Sequence, residues 1–243
     1  MLFRSKAGVS LDFETKQSYA VTVNVADATL AGSTPVSTNF TLAVNDVNDV
    51  APVFTSGGTG TVAENASVAT AIYTAAVTDG DGTAVNKAVT YSIKPGVGDA
   101  GLVQINSSTG VVTLKSSANY EAKASYSFTV VATNTATPAL FAEQAVTVSV
   151  TDVNEAPTAM ALLNATTSLP ENTSTAARIK LADIQVTDDA LGTNAITLAG
   201  ADAGSFEVVG SSLYLKAGVS LDFETKQSYA VTVNVADATL AGS

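Results

Sequence analysis

Lys6 to Ser33 returns without a single change as Lys216 to Ser243, at an offset of 210 residues. Half that offset, 105 residues, separates Pro52 from Pro157, and each of these prolines ends an acidic linker. A chain that repeats on this length scale is built from similar units, and about 100 residues of short strands suits one β-sandwich. Two origins fit the identity: a tandem array whose full repeat is a pair of modules, or a sequence joined to itself in assembly. The identity starts after an unmatched pentapeptide and runs to the last residue. The expectation is a piece of a longer protein, cut within a domain at both ends. Residues 1–49 would hold the last strands of one module, 50–153 a complete module, and 154–243 a module lacking its last strand.

Strand periodicity supports that division. Tyr19, Val21, Val23 and Val25 alternate with small or polar residues. Tyr126, Phe128, Val130 and Ala132 do the same, as do Tyr229, Val231, Val233 and Val235. A period of two with aromatic and β-branched residues on one face predicts half-buried strands. Leu42 with Val44, and Val146 with Val148 and Val150, predict the strands that close their modules. Asp79-Gly80-Asp81-Gly82 and Ser108-Thr109-Gly110 are turn signals. No segment predicts a helix, and Leu162 to Ser168 is expected to form a turn at most. The fold class is all-β, tandem Greek-key (immunoglobulin-like) sandwiches.

Composition narrows the chemistry. The chain has no Cys and no His, so disulfides, thiolate metal sites and the commonest general base are all missing. No nucleophile and base pair can be assembled, and an enzyme is not expected. A net charge of −11 disfavours nucleic acid and anionic membranes and favours divalent cations. No run of apolar residues is long enough for a membrane-spanning helix. The acids are also gathered. Of the 22 Asp and Glu residues, only Asp27, Asp99, Glu143, Asp183, Asp202 and Glu207 lie outside the recurrent motifs.

Those motifs come in a fixed order. In the middle unit they are Ala63-Glu64-Asn65, Asn119-Tyr120-Glu121 and Asp152-Val153-Asn154-Glu155-Ala156-Pro157. Upstream, Leu11-Asp12-Phe13-Glu14 precedes Asp46-Val47-Asn48-Asp49-Val50-Ala51-Pro52. Downstream, Pro170-Glu171-Asn172 precedes Leu221-Asp222-Phe223-Glu224. Calcium needs six to eight oxygen ligands, more than one strand end supplies. Motifs far apart in sequence can meet at one pole of a sandwich, and the following module would add Asp188, Asp189 and Asp237. The plainer alternative is that the same residues only form turns and cap strand ends.

Together these residues resemble the cadherin repeat, and in particular the bacterial cadherin-like modules of large tandem surface proteins. The resemblance implies calcium held between successive modules by a Glu-Asn pair, an Asp-x-Glu motif, the proline-ended linker, and an Asp-x-Asp and later Asp of the next module. It assigns Asp12, Glu14, Asp46, Asn48 and Asp49 to a first junction, with Asp79 and Asp81 of the next module and Asn134 in place of the later Asp. A second junction would use Glu64, Asn119, Glu121, Asp152, Asn154 and Glu155, with Asp188 and Asp237. Glu171, Asp222 and Glu224 would serve a third.

The sequence departs from the pattern at the second junction. Asn119 replaces an acid, the linker is one residue shorter, and Asp188-Asp189-Ala190 lacks the spaced second Asp. The resemblance implies a calcium-stiffened extracellular or cell-surface rod that acts in adhesion, with other cadherin-like modules (homophilic contact) or surface ligands as partners. A spacer that presents a distant domain, or a carbohydrate-binding module, are the alternatives; the second has little aromatic surface to draw on.

Overall fold

Alternation becomes burial where a strand has a partner and a core behind it. The computed structural model describes Gly8 and residues 10–240, and divides into two units, Met1–Asp152 and Val153–Ser243.

In the first unit the strands are β1 (Ser18–Val25), β2 (Val36–Ala43), β3 (Val53–Phe54), β4 (Thr59–Ala63), β5 (Ala71–Thr74), β6 (Val77–Thr78), β7 (Val89–Ile93), β8 (Val103–Ile105), β9 (Val111–Leu114), β10 (Ser125–Asn134) and β11 (Phe141–Thr151). A four-stranded sheet ordered β4-β11-β10-β7 faces a three-stranded sheet ordered β5-β9-β8. Within the first, β4 runs parallel to β11 while the other pairs are antiparallel.

The core lies between these two sheets. Tyr126, Phe128, Val130 and Ala132 of β10 are buried, as are Val146, Val148 and Val150 of β11. Opposite them stand Ile72, Tyr73, Val112 and Leu114, with the Tyr73 and Phe128 rings edge to face at 6.4 Å. Gly60 is required where β4 passes β5, because a Cβ there would overlap the Ile72 carbonyl oxygen. Gly60→Ala is therefore expected to lose roughly 1–3 kcal/mol in urea unfolding, since backbone must shift to admit the methyl.

β1 and β2 form a separate two-stranded sheet, with Val21, Val25, Val36, Phe40 and Leu42 all exposed.

The second unit contains β12 (Ala159–Leu163), β13 (Ile179–Thr187), β14 (Asn194–Ala199), β15 (Phe206–Val209), β16 (Ser212–Leu215) and β17 (Thr232–Asp237), with one 3-10 turn at Ala203–Ser205. Its sheets are β12-β13-β16-β15 and β14-β17. Ala182, Ile184, Phe206, Leu213 and Leu215 form its core.

Two expectations are corrected. Leu162 and Leu163 end strand β12, paired to Ile184 and Asp183, instead of entering a turn. Tyr229 and Val231 precede β17 and are not in a strand. Their identical counterparts Tyr19 and Val21 lie within β1, paired to Leu42 and Phe40 of β2. The difference is the partner: backbone groups need a neighbouring strand, and residues 228–231 have none among the described residues.

Candidate metal-binding clusters

Among the described residues, lysines and Arg178 pair with Glu143, Asp99, Glu207, Asp183 and Asp202, all outside the motifs. The motif acids are instead gathered with one another in three places. Carboxylate oxygens of Glu14, Asp46 and Asp81 lie within 4.8 Å of one another. Those of Glu64, Glu121 and Asp152 do so too, as do those of Glu171, Asp222 and Glu224. Like charges at that separation repel unless a cation lies among them.

The first cluster sits where the linker meets the Asp79-Gly80-Asp81-Gly82 turn. Asp46 accepts hydrogen bonds from Thr83 N (2.7 Å), Gly82 N (3.3 Å) and Asn86 Nδ2 (2.9 Å). Asp81 is fully buried, and its Oδ1 accepts from Asp49 N and Val50 N, each at 3.3 Å. Its Oδ2 is buried with no hydrogen-bond donor among the described residues, as is Asn48 Oδ1.

Asn48 Nδ2 donates to Asn134 Oδ1 at 2.8 Å. Asn134, also fully buried, donates to the Asn86 carbonyl and to Asp79 Oδ2. Asp79 in turn accepts from Asp81 N at 3.1 Å. Phe13 lies on Gly82, where a Cβ would strike its ring. The first-junction residues are thus brought together within one unit, with Asn48, Asp79 and Asn134 joined to Asp81 and the linker by hydrogen bonds.

Charge crowding shows in the acidities. Burial pushes the Asp81 carboxyl above its ordinary value with help from Asp79, against the amides of Asp49 and Val50. A local backbone hydrogen bond pulls Glu14 down, but desolvation and the Asp46 and Asp49 charges outweigh it and leave Glu14 raised. Burial also acts to raise Asp46, yet the donors at Thr83, Gly82 and Asn86 hold it below the usual carboxylate value.

Asp12 plays another part. Its carboxylate accepts from Thr15 N (3.0 Å) and Thr15 Oγ1 (2.8 Å), which closes one helical turn. Asn119 Oδ1 does the same for Ala122 N at 2.7 Å, and Asp222 for Thr225. The first residue of each motif therefore shapes the turn, and the Glu two positions on reaches the cluster. Asp222 does both. This turn also lets Tyr120 N donate to the nearly buried Glu64 at 2.8 Å, and Phe223 N to Glu171 at 3.0 Å.

In the second unit, Asp237 is fully buried. Donors from Thr239 and Thr193 hold it down to about 2. Asn154 Nδ2 donates to Thr239 Oγ1 at 2.9 Å, and Asp188 accepts from Asn194. Asn154 Oδ1 and Asp188 Oδ1 are buried without hydrogen-bond donors among the described residues. Asp189 accepts from Glu155 N at 2.6 Å, as Asp81 does from Asp49 N. The assigned ligand set passed over Asp189. A signal existed, since the linker and the paired acids are both one residue shorter there. Asn86 and Thr83, by contrast, lie in a loop with no motif to mark them.

The comparisons with known proteins bear on family and fold. The family described as the cadherin domain matches residues 59–151. Human protocadherin Fat 4 is 31% identical over 230 residues, which is 92% of this chain and 4% of the relative. Rat protocadherin Fat 2 is 36% identical over 164 residues, 67% of this chain and again 4% of the relative. Among solved structures, protocadherin gamma B2 extracellular cadherin domains 1–5 give a TM-score of 0.73 at 22% identity, covering 93% of this chain and 43% of that one. Mouse cadherin-23 domains 22–24 give 0.63 at 23% identity, covering 86% and 67%. These relatives are animal protocadherins and lend no support to the expected bacterial kinship. Residues 59–151 are a cadherin domain, and the chain is built of tandem cadherin repeats, a non-enzymatic family.

Proposed function

We propose that this chain is a calcium-binding segment of an extracellular or cell-surface protein, stiffened at its module linkers and serving adhesion. The modules would be residues 1–49, 50–153 and 154–243. The observation that carries the reading is the Glu14–Asp46–Asp81 cluster, in which a buried carboxylate oxygen has no hydrogen-bond donor among the described residues. Oxygen-only ligands, several of them carboxylates, suit a hard divalent cation and leave no soft donor for zinc or copper. Glu14, Asp46, Asp81 and Asn48 would hold one ion, with Asp49 and Asp79 at its margin. Glu64, Glu121 and Asp152 would hold a second, and Glu171, Asp222 and Glu224 a third. The ion replaces carboxylate repulsion with shared ligation, so a linker that swings when bare becomes fixed. The animal protocadherins it resembles support adhesion as the setting, with like modules as partners.

Thermal unfolding in EDTA, calcium and magnesium tests this. Extracellular calcium modules bind at about 10⁻⁴–10⁻³ M, so roughly 10 mM calcium adds about 1.4–2.7 kcal/mol per site. The midpoint should rise by about 3–10 °C in calcium, stay put in magnesium, and lose part of the gain in Glu121→Ala. Identical curves in all three conditions would leave only a spacer.

A further inference from the structure

Hydrogen bonds decide which side of the first linker each residue belongs to. Val44 N donates to the Gln17 carbonyl at 2.9 Å, so Val44 is still tied to the β1–β2 hairpin. Residues 46–50 are tied to the sandwich of β4–β11 that follows. Asp46 takes N–H groups of Gly82, Thr83 and Asn86. Asn48 donates to Asn134, and Asp81 takes Asp49 N and Val50 N. Val50 also rests on Gly80, where a Cβ would stand 3.1 Å from it, and Pro52 is buried. Each of these is a contact between protein groups alone. Between Val44 and Asp46 only Asn45 remains.

Asn134, fully buried at the end of β10, is the centre of this network. Its Oδ1 accepts from Asn48 Nδ2 at 2.8 Å, Ala136 N at 3.0 Å and Thr137 N at 3.1 Å. Its Nδ2 donates to the Asn86 carbonyl and to Asp79 Oδ2. The amide cannot be turned over, because backbone N–H groups face one end and a backbone carbonyl the other. A carbonyl oxygen has two lone pairs, so three donors leave Oδ1 nothing to offer a cation. Asn86 closes the circuit, since its own Nδ2 donates to Asp46. At the corresponding place of the second unit, eight residues after Tyr229 as Asn134 is eight after Tyr126, stands the carboxylate of Asp237. One hub is neutral and saturated with hydrogen bonds; the other is an acid.

We infer that Asn134 is a fastener and not a calcium ligand: it holds residues 46–50 to the following sandwich without a metal and confines the hinge of this junction to Asn45. A hinge of one residue between two tied segments is the ordinary form of such a joint. Truncating Asn134 or Asn48 breaks a buried network and leaves polar partners unsatisfied, so the linker should come loose. The ion then has one task here, to join Glu14 of the preceding strands to Asp46 and Asp81. That second half rests on the calcium reading above; the fastening does not, and is tested in EDTA.

The 243-residue chain has no cysteine, so spin labels on introduced pairs report without background. Val47→Cys/Thr147→Cys measures the linker against β11, and Thr38→Cys/Thr147→Cys measures β2 against β11; all three sites are exposed. In EDTA the first pair should give a narrow distance distribution and the second a broad one. Calcium should narrow the second and leave the first unchanged. Asn134→Ala, and Asn48→Ala outside the core, should each broaden the first pair several-fold in EDTA. A broad first pair in EDTA, a second pair as narrow as the first, or a first pair indifferent to Asn48→Ala or Asn134→Ala would each overturn the proposal. A second pair that stays broad in calcium beside a narrow first pair would remove the ion and uphold the fastener.

Discussion

Asp81→Asn should melt above the parent in EDTA and gain less than the parent in calcium. The reversal follows from two properties of one carboxylate. Asp81 is fully buried, and burial together with Asp79 raises its pKa above the ordinary value. A carboxyl whose folded pKa is raised binds its proton more tightly folded than unfolded, so its ionised form opposes folding at neutral pH. An amide removes that charge and keeps an oxygen for Asp49 N and Val50 N. With calcium the order changes, because the amide has lost a charge from the cluster proposed to meet a cation. The calcium-induced rise at that site, about 1.4–2.7 kcal/mol by mass action at roughly 10 mM, should largely disappear. In EDTA the gap between variant and parent should narrow as pH falls from neutral through the raised pKa of Asp81, where the parent neutralises itself. Calorimetry at two pH values, with and without calcium, checks all three parts. Equal calcium gains in variant and parent would remove Asp81 from the ligand set.

Phe128→Ala should be the most damaging single truncation. Phe128 is 2% exposed between the two sheets of the first unit and meets Tyr73 edge to face. Loss of such a ring removes its transfer energy and leaves a cavity, together about 3–5 kcal/mol, or about 10 °C or more in midpoint. Val231→Ala, at the corresponding position of the second unit, should behave very differently in dilute solution. Val231 is half-buried on the wall of an open groove, so its lost methyl groups were already partly in water. At about 0.8 kcal/mol per fully buried methylene, the expected loss is near 1 kcal/mol. Equal losses in the two variants would mean that the groove is closed in the monomer.

Much of the candidate site could be read from the order of the motifs, because calcium favours carboxylate oxygens and only six of the 22 Asp and Glu residues lie elsewhere in the chain. The three clusters contain the Glu of Asp12-Phe13-Glu14, of Asn119-Tyr120-Glu121 and of Asp222-Phe223-Glu224. Each residue's part within its motif could not be read. Asp12 and Glu14 are both acids two positions apart, but the Thr15 donors hold Asp12 in a turn and leave Glu14 to face Asp46. Asp189, offered by the sequence but left out of the ligand set that the resemblance implies, was passed over there for a similar reason. Its role is set by where Glu155 N comes to lie, and that depends on a linker shortened by one residue.

Local pattern determined by itself the all-β class, the alternation that buries β10 and β11, and the acids that gather in the three clusters. Tertiary structure alone decided what one sequence becomes in two places. Ser18–Val25 is a strand throughout, while its copy begins its strand at Thr232; Asp27 is exposed, while its copy Asp237 is fully buried. Every local preference is the same in both. The environments differ: β2 supplies pairing to the first copy, and β14 with its apolar core supplies burial to the second. A strand's hydrogen bonds and most of its buried area come from residues distant in sequence, so no reading of the segment alone can assign them.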